Sequence, residues 1–90
     1  MKFKDYINEG MRLAVGDYIQ QVGSDYIAYG KITQALKNGS FKAVVFMSID
    51  GKTSGKAKIT SIKGWYPDPV KINEKDVPWQ ILDKIHKRMG

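Results

Sequence analysis

The chain has 90 residues, 42% of them hydrophobic, no cysteine, and a formal charge of +6 from 15 Lys and Arg against 9 Asp and Glu. That length allows one domain, and the lack of cysteine excludes disulfides, a thiolate nucleophile and zinc–thiolate clusters. No apolar run approaches the roughly 20 residues that cross a bilayer, and the N-terminus lacks the apolar segment of a secretory signal. The charge favours a polyanion or an acidic protein surface as partner without choosing between them.

Residues 1–10 read MKFKDYINEG. Phe3, Tyr6 and Ile7 lie at helical spacing. They suit a short amphipathic helix that covers a sheet edge and is too short to be stable alone. The same residues resemble the capsid-targeting leader of proteins packaged inside tailed phages of the T-even type. Such leaders begin Met-Lys, carry an aromatic-containing amphipathic segment, and end in an aliphatic residue, any residue, then Glu, after which the prohead protease cuts. Here Ile7, Asn8 and Glu9 match, and Gly10 would follow the cut. The resemblance covers ten residues. It implies a bacteriophage protein, housed inside the virion and then released into the host cytoplasm. Lys2 and Lys4 balance Asp5 and Glu9, so the charge belongs to the body of the domain and survives removal of the leader.

Residues 11–90 then read as one small basic β-rich domain. Gly16-Asp17 turns the chain into a strand over Tyr18–Val22. Gly23-Ser24-Asp25 leads to a second strand over Tyr26–Thr33, where Gly30 marks a bend, a bulge or a close backbone approach. Asn38-Gly39 and Asp50-Gly51 are strong turn signals, and they bracket the most apolar run, Phe41–Ile49 (FKAVVFMSI). Its branched and aromatic residues suit a central strand. Lys56–Ile62 gives a fourth strand, with Ala57, Ile59 and Ser61 on one face and Lys58, Thr60 and Ile62 on the other. Gly64–Pro69 is an irregular connection, and Val70–Ile72 a final edge strand.

The end of the chain is the clearest helix, over 77–89. Val77, Ile81, Ile85 and Met89 form its stripe, widened by Leu82, with Trp79 as an anchor against the sheet. Asp76 is placed to cap the first turn, Pro78 sits where a missing amide costs little, and Lys84, Lys87 and Arg88 complement the helix dipole.

The fold class is therefore mainly β: about five sequential antiparallel strands, as in a meander, with a C-terminal helix. Two closures satisfy this order. One is a small barrel, since Val15–Ile72 is similar to SH3-like barrels of the KOW and Tudor type. That similarity rests on the Gly-Asp strand start, the Gly-Lys-Ile core of the second strand and the Asn-Gly-Ser-Phe turn. The other is an open, strongly curved sheet crossed by the helix. On the central strand, Phe41, Ala43, Val45, Met47 and Ile49 share the expected core face. Val44 and Phe46 point the other way and need a cover, which the Val77-Ile81-Ile85 stripe or curling of the sheet can supply. Lys42 then marks the uncovered end, beside the lysine-bearing fourth strand.

The residues offer little for catalysis. His86 is the single imidazole, with Asp83 one helical turn away to orient it. Without a placed nucleophile the pair makes no catalytic site, so the expectation is not an enzyme. The carboxylates show no metal-ligand spacing, and nothing calls for a cofactor. Gly51-Lys52-Thr53 lacks the glycine-rich lead and the strand–helix context of a phosphate-binding loop and reads as a hairpin turn.

Basic and aromatic residues say more. Lys31, Lys42, Lys56, Lys58 and Lys63 fall on strands or their ends. If Lys42 and Lys58 are cross-strand neighbours they repel unless an anion intervenes, and a phosphate backbone would supply one. Tyr29, Trp65 and Tyr66, ringed by Lys31 and Lys63, would suit an unstacked base or a protein interface. Three functions follow: a DNA- or RNA-binding module, an inhibitor that occupies an acidic surface of a host defence protein, or a structural protein of the capsid interior. A continuous basic stripe across the sheet favours the first. Lysines scattered around an apolar patch with Trp65 and Tyr66 favour the second.

Overall fold

The computed structural model describes residues 13–37 and 39–89. Ile7, Glu9, Gly10 and the helix expected over 1–10 lie outside the described residues. The strands are β1 (Tyr18–Val22), β2 (Tyr26–Ala35), β3 (Phe41–Ile49), β4 (Lys58–Ser61) and β5 (Val70–Ile72). A single 3₁₀ turn (Glu74–Asp76) and a helix, α1 (Trp79–Met89), follow. The strands form one antiparallel sheet in the order β4-β3-β2-β1-β5. The first four strands are the expected meander. The fifth departs from it by returning to β1 instead of lying beside β4. β4 and β5 are thus opposite edges, and the sheet is curved but not closed into a barrel.

Local chemistry explains the turns. Asp50 and Gly51 both have positive φ, 55° and 76°, and the Lys52 amide donates to the Ile49 carbonyl at 3.1 Å. This is the mirror-image turn that Asp-Gly favours after a twisted strand. Gly30 is the close approach that its position in the strand suggested: a Cβ there would lie 3.1 Å from the Val44 carbonyl oxygen and from a Val45 methyl. A register shift between Ile32 and Gln34 adds a bulge, which bends the strand.

The unbroken AVVF segment of β3 reflects burial on both faces, as continuous apolar runs do. Val44 and Phe46 pack with Tyr18, Tyr29, Ala57, Val77, Ile81 and Ile85, beneath α1. The stripe Val77-Ile81-Ile85 does cover them, and both are about 1% exposed. Ala43 and Val45 face the other way and pack with Ile19, Ala28, Ile32 and Ile62. Leu13, Phe41, Tyr26 and Trp65 lie against this second cluster. Each fully buried Val, Ile or Phe among these contributes about 1.5–3 kcal/mol by leaving water.

Several local expectations need correction. Trp79 is not the anchor: it is 73% exposed. Residues two apart on a helix point about 200° apart, so seating Ile81 turns Trp79 outward. The helix begins at Trp79, because Val77 precedes a proline and is held extended (φ −89°, ψ 126°). The Pro78 carbonyl accepts the amides of Ile81 and Leu82, each at 2.9 Å. The Asp76 carboxylate accepts the Asn73 amide at 3.2 Å, so it closes the 3₁₀ turn instead of capping α1. β4 is shorter than expected because Ala57 leaves the sheet to be buried under α1, while the Lys84 ammonium donates to the Gly55 carbonyl at 2.8 Å.

Candidate functional site

The two faces of the sheet are covered unequally. α1 seals one of them. The other is covered near Ala43 by the second cluster and stays open at the far end of β3, where Met47 and Ile49 are about half exposed. The expectation that all of Phe41 to Ile49 on this face would be core therefore fails at Met47 and Ile49. The open end is a groove of about 620 Å³, floored by Val45, Met47 and Ile49. Tyr26, Trp65 and Tyr66 supply its aromatic walls, and Lys56 and Lys58 line its β4 side.

Cross-strand register decides which residues meet there. Tyr26 pairs with Ile49, and Tyr29 with Phe46. Tyr29 therefore lies under the helix, buried with Phe46, and Tyr26 takes the place expected for it beside Trp65 and Tyr66. Lys58 pairs with Val45, whereas Lys42 pairs with Ser61. The two lysines project from opposite faces of the sheet, so the anticipated cross-strand repulsion between them does not arise. Lys31 pairs with Tyr18 and with Val44, on the helix side. Its ammonium lies 5.1 Å from the centroid of the Tyr18 ring, within cation–π range. Lys63 lines a separate depression with Phe41, Gly64 and Pro69. Of the seven expected nucleic-acid contacts, Lys56, Lys58, Trp65 and Tyr66 come together, while Lys31, Lys42 and Lys63 stand elsewhere. The open surface thus begins at the Met47–Ile49 end of β3, not beside Lys42.

Gln21 holds the aromatic walls. It is buried, its amide nitrogen donates to the Pro67 carbonyl at 2.8 Å, and its amide oxygen accepts the Tyr26 hydroxyl at 3.3 Å. One side chain thereby ties the Trp65–Pro67 connection to Tyr26. Gln21 follows Ile19 on the inward face of β1, and a polar residue at an inward position was the signal available in the sequence. Tyr66, in contrast, is 89% exposed and presents its ring to solvent. Gly23 completes the support, since a Cβ at that position would overlap the Tyr26 ring.

His86 is a structural contact on the other face. Its Nε2 lies 3.0 Å from the Tyr18 hydroxyl, which links α1 to β1. Asp83 pairs with Lys87 at 3.3 Å, not with His86. Among the described residues no group of three or more His, Cys, Asp or Glu could hold a metal ion, and no helix is long and apolar enough to cross a membrane.

The described residues thus form a small open β-sheet carrying one α-helix, with an aromatic, lysine-edged groove on its less covered face. No protein-family model, curated protein sequence or solved structure matches this chain.

Proposed function

We propose that this protein is a non-enzymatic binding module that holds single-stranded nucleic acid in the groove. The observation that carries this reading is the meeting of Trp65 and Tyr66 with Lys56 and Lys58 in one concave surface. Aromatic rings accept any base face and contribute about 1–3 kcal/mol per stacked base, while lysines hold the backbone. The positive charge does not run as a stripe across the sheet, so on the sheet itself contact is limited to the groove and its β4 rim. Lys31, Lys42 and Lys63 have no part in it.

Fluorescence anisotropy with a labelled oligo-dT tests this. The expectation is micromolar-range binding at low salt that weakens as salt rises, with the groove's own two phosphate contacts contributing about −1.4 to the slope of log K against log salt. Tyr66→Ala should weaken binding about fivefold or more without unfolding so exposed a site. No binding by the unaltered protein at low salt would refute the reading.

A second reading is favoured by the lack of a continuous basic stripe and by Met47 and Ile49, whose exposed aliphatic side chains beside Tyr66 suit a protein surface better than a base. In that case the domain blocks a host protein stoichiometrically, as the leader-like N-terminus also suggests. A partner captured from host lysate, retained after nuclease treatment and lost with Ile49→Asp, would support it. Packaging, including a structural role in the capsid interior, is tested by mass spectrometry of purified virions, where a species beginning at Gly10 is expected.

A further inference from the structure

We infer that the bound strand continues past the groove, over the β4 edge, into a second cleft whose cations come largely from α1. This rests on the single-strand reading and adds Lys84, Lys87 and Arg88 to the site. The cleft measures about 650 Å³, and Lys56, Lys58, Lys84, Lys87 and Arg88 line it with no carboxylate among them. Gly55, Lys56 and Lys58 line both this cleft and the aromatic groove, so the two share one wall. β4 is the edge of the sheet, and no strand among the described residues lies beyond it to block passage from one to the other.

The positions of these cations need more than helix electrostatics to explain them. Lys87 and Arg88 complement the negative end of the α1 dipole, but Lys56 and Lys58 stand on the opposite wall and have no dipole to offset. Five like charges on one cleft repel unless an anion sits among them. Asp83 answers one of them through its pair with Lys87. Lys84 is held by the Gly55 carbonyl, which fixes α1 against the β4 approach, and its ammonium keeps two further donors. Lys87 and Arg88 are exposed and able to follow a flexible backbone. Bases on the Tyr26–Trp65–Tyr66 side and phosphates on the α1 side give a single strand a defined path across Gly55–Lys58.

The salt dependence of oligo-dT binding separates this path from the groove alone. Lys87→Gln/Arg88→Gln should flatten the slope of log K against log salt by about 1.4, from two phosphate contacts at about 0.7 each. Tyr66→Ala should weaken binding with the slope unchanged. Lys37→Gln, on the turn between β2 and β3, should change neither by a comparable amount. Circular dichroism confirms that each variant is folded. An unchanged slope in the double variant, with Tyr66→Ala still weakening binding, would overturn the extended path and leave the groove standing. A slope flattened equally per charge by Lys37→Gln would assign the attraction to net charge and overturn the cleft. Absence of binding by the unaltered protein would remove the single-strand reading itself, and the path with it.

Discussion

Replacing Ile85 and Trp79 by alanine, one at a time, tests how α1 is seated. Both are large apolar residues near the sheet in sequence terms, but Ile85 is 0% exposed and Trp79 is 73% exposed. Ile85 packs in the cluster of Val44, Phe46, Val77 and Ile81, where truncation of isoleucine to alanine costs about 2–5 kcal/mol through lost transfer energy and the cavity left behind. A domain of this length has a total stability of about 5–13 kcal/mol, so the loss is a large share. Taking about 3 kcal/mol, the melting temperature should fall by about 12–24 °C. Trp79→Ala removes a mostly solvated ring and should stay within about 0.5 kcal/mol. Urea unfolding followed by circular dichroism measures both, and similar m-values would show that the two states compared are the same. If Trp79→Ala proved as costly as Ile85→Ala, the helix would have to be docked through a different face, and the burial of Val44 and Phe46 beneath it would need another explanation.

Gln21→Leu should cost about 1–3 kcal/mol by leaving the Pro67 carbonyl and the Tyr26 hydroxyl without their partner. It should also shift the amide resonances of Tyr26 and Tyr66, and a change confined to position 21 would count against its role in holding the walls. Gly23→Ala should displace the Tyr26 ring and weaken oligonucleotide binding more than it weakens folding, as anisotropy and urea unfolding on the same variant would show. Gly51→Ala should cost about 1–2 kcal/mol, because its φ of 76° is a left-handed conformation that disfavours a Cβ; equal stability in urea would contradict the turn assigned there.

Much of the fold was legible because turn chemistry punctuates this chain. Tyr18–Val22, Phe41–Ile49 and Val70–Ile72 are strands with the bounds that their flanking turns indicate. Period-two alternation places Val44 and Phe46 opposite Val45, and of the two covers open to them, the helix stripe or curling of the sheet, the structure has the stripe. The helix start was misplaced because the restriction that Pro78 puts on Val77 outweighed the apolar periodicity. Lys56, Lys58, Trp65 and Tyr66, which stand out by residue type, do line one groove. Tyr29 and Lys31 were assigned to the wrong side because alternation within β2 says which residues share a face, but not which face remains open. Nor could alternation relate Lys42 to Lys58, whose strands are joined by the long arm from Asp50 to Ala57. That relation is fixed by inter-strand register, which sets Ser61 opposite Lys42.

The sequence by itself determined a basic, cysteine-free, mainly β domain, the strand-turn rhythm, the amphipathic helix and the need for cover on both faces of β3. These follow from local rules, because turn residues and side-chain periodicity act over a few positions. Only the tertiary structure decided that β5 pairs with β1, that the sheet stays open, and that its second face is covered at Ala43 but bare at Met47 and Ile49. The cover on that face includes Trp65 of the Gly64–Pro69 connection, which a hydrogen bond from Gln21 to the Pro67 carbonyl, 46 positions away, ties to β1. Such a contact has no local signal, since it forms only once the sheet has brought its partners together.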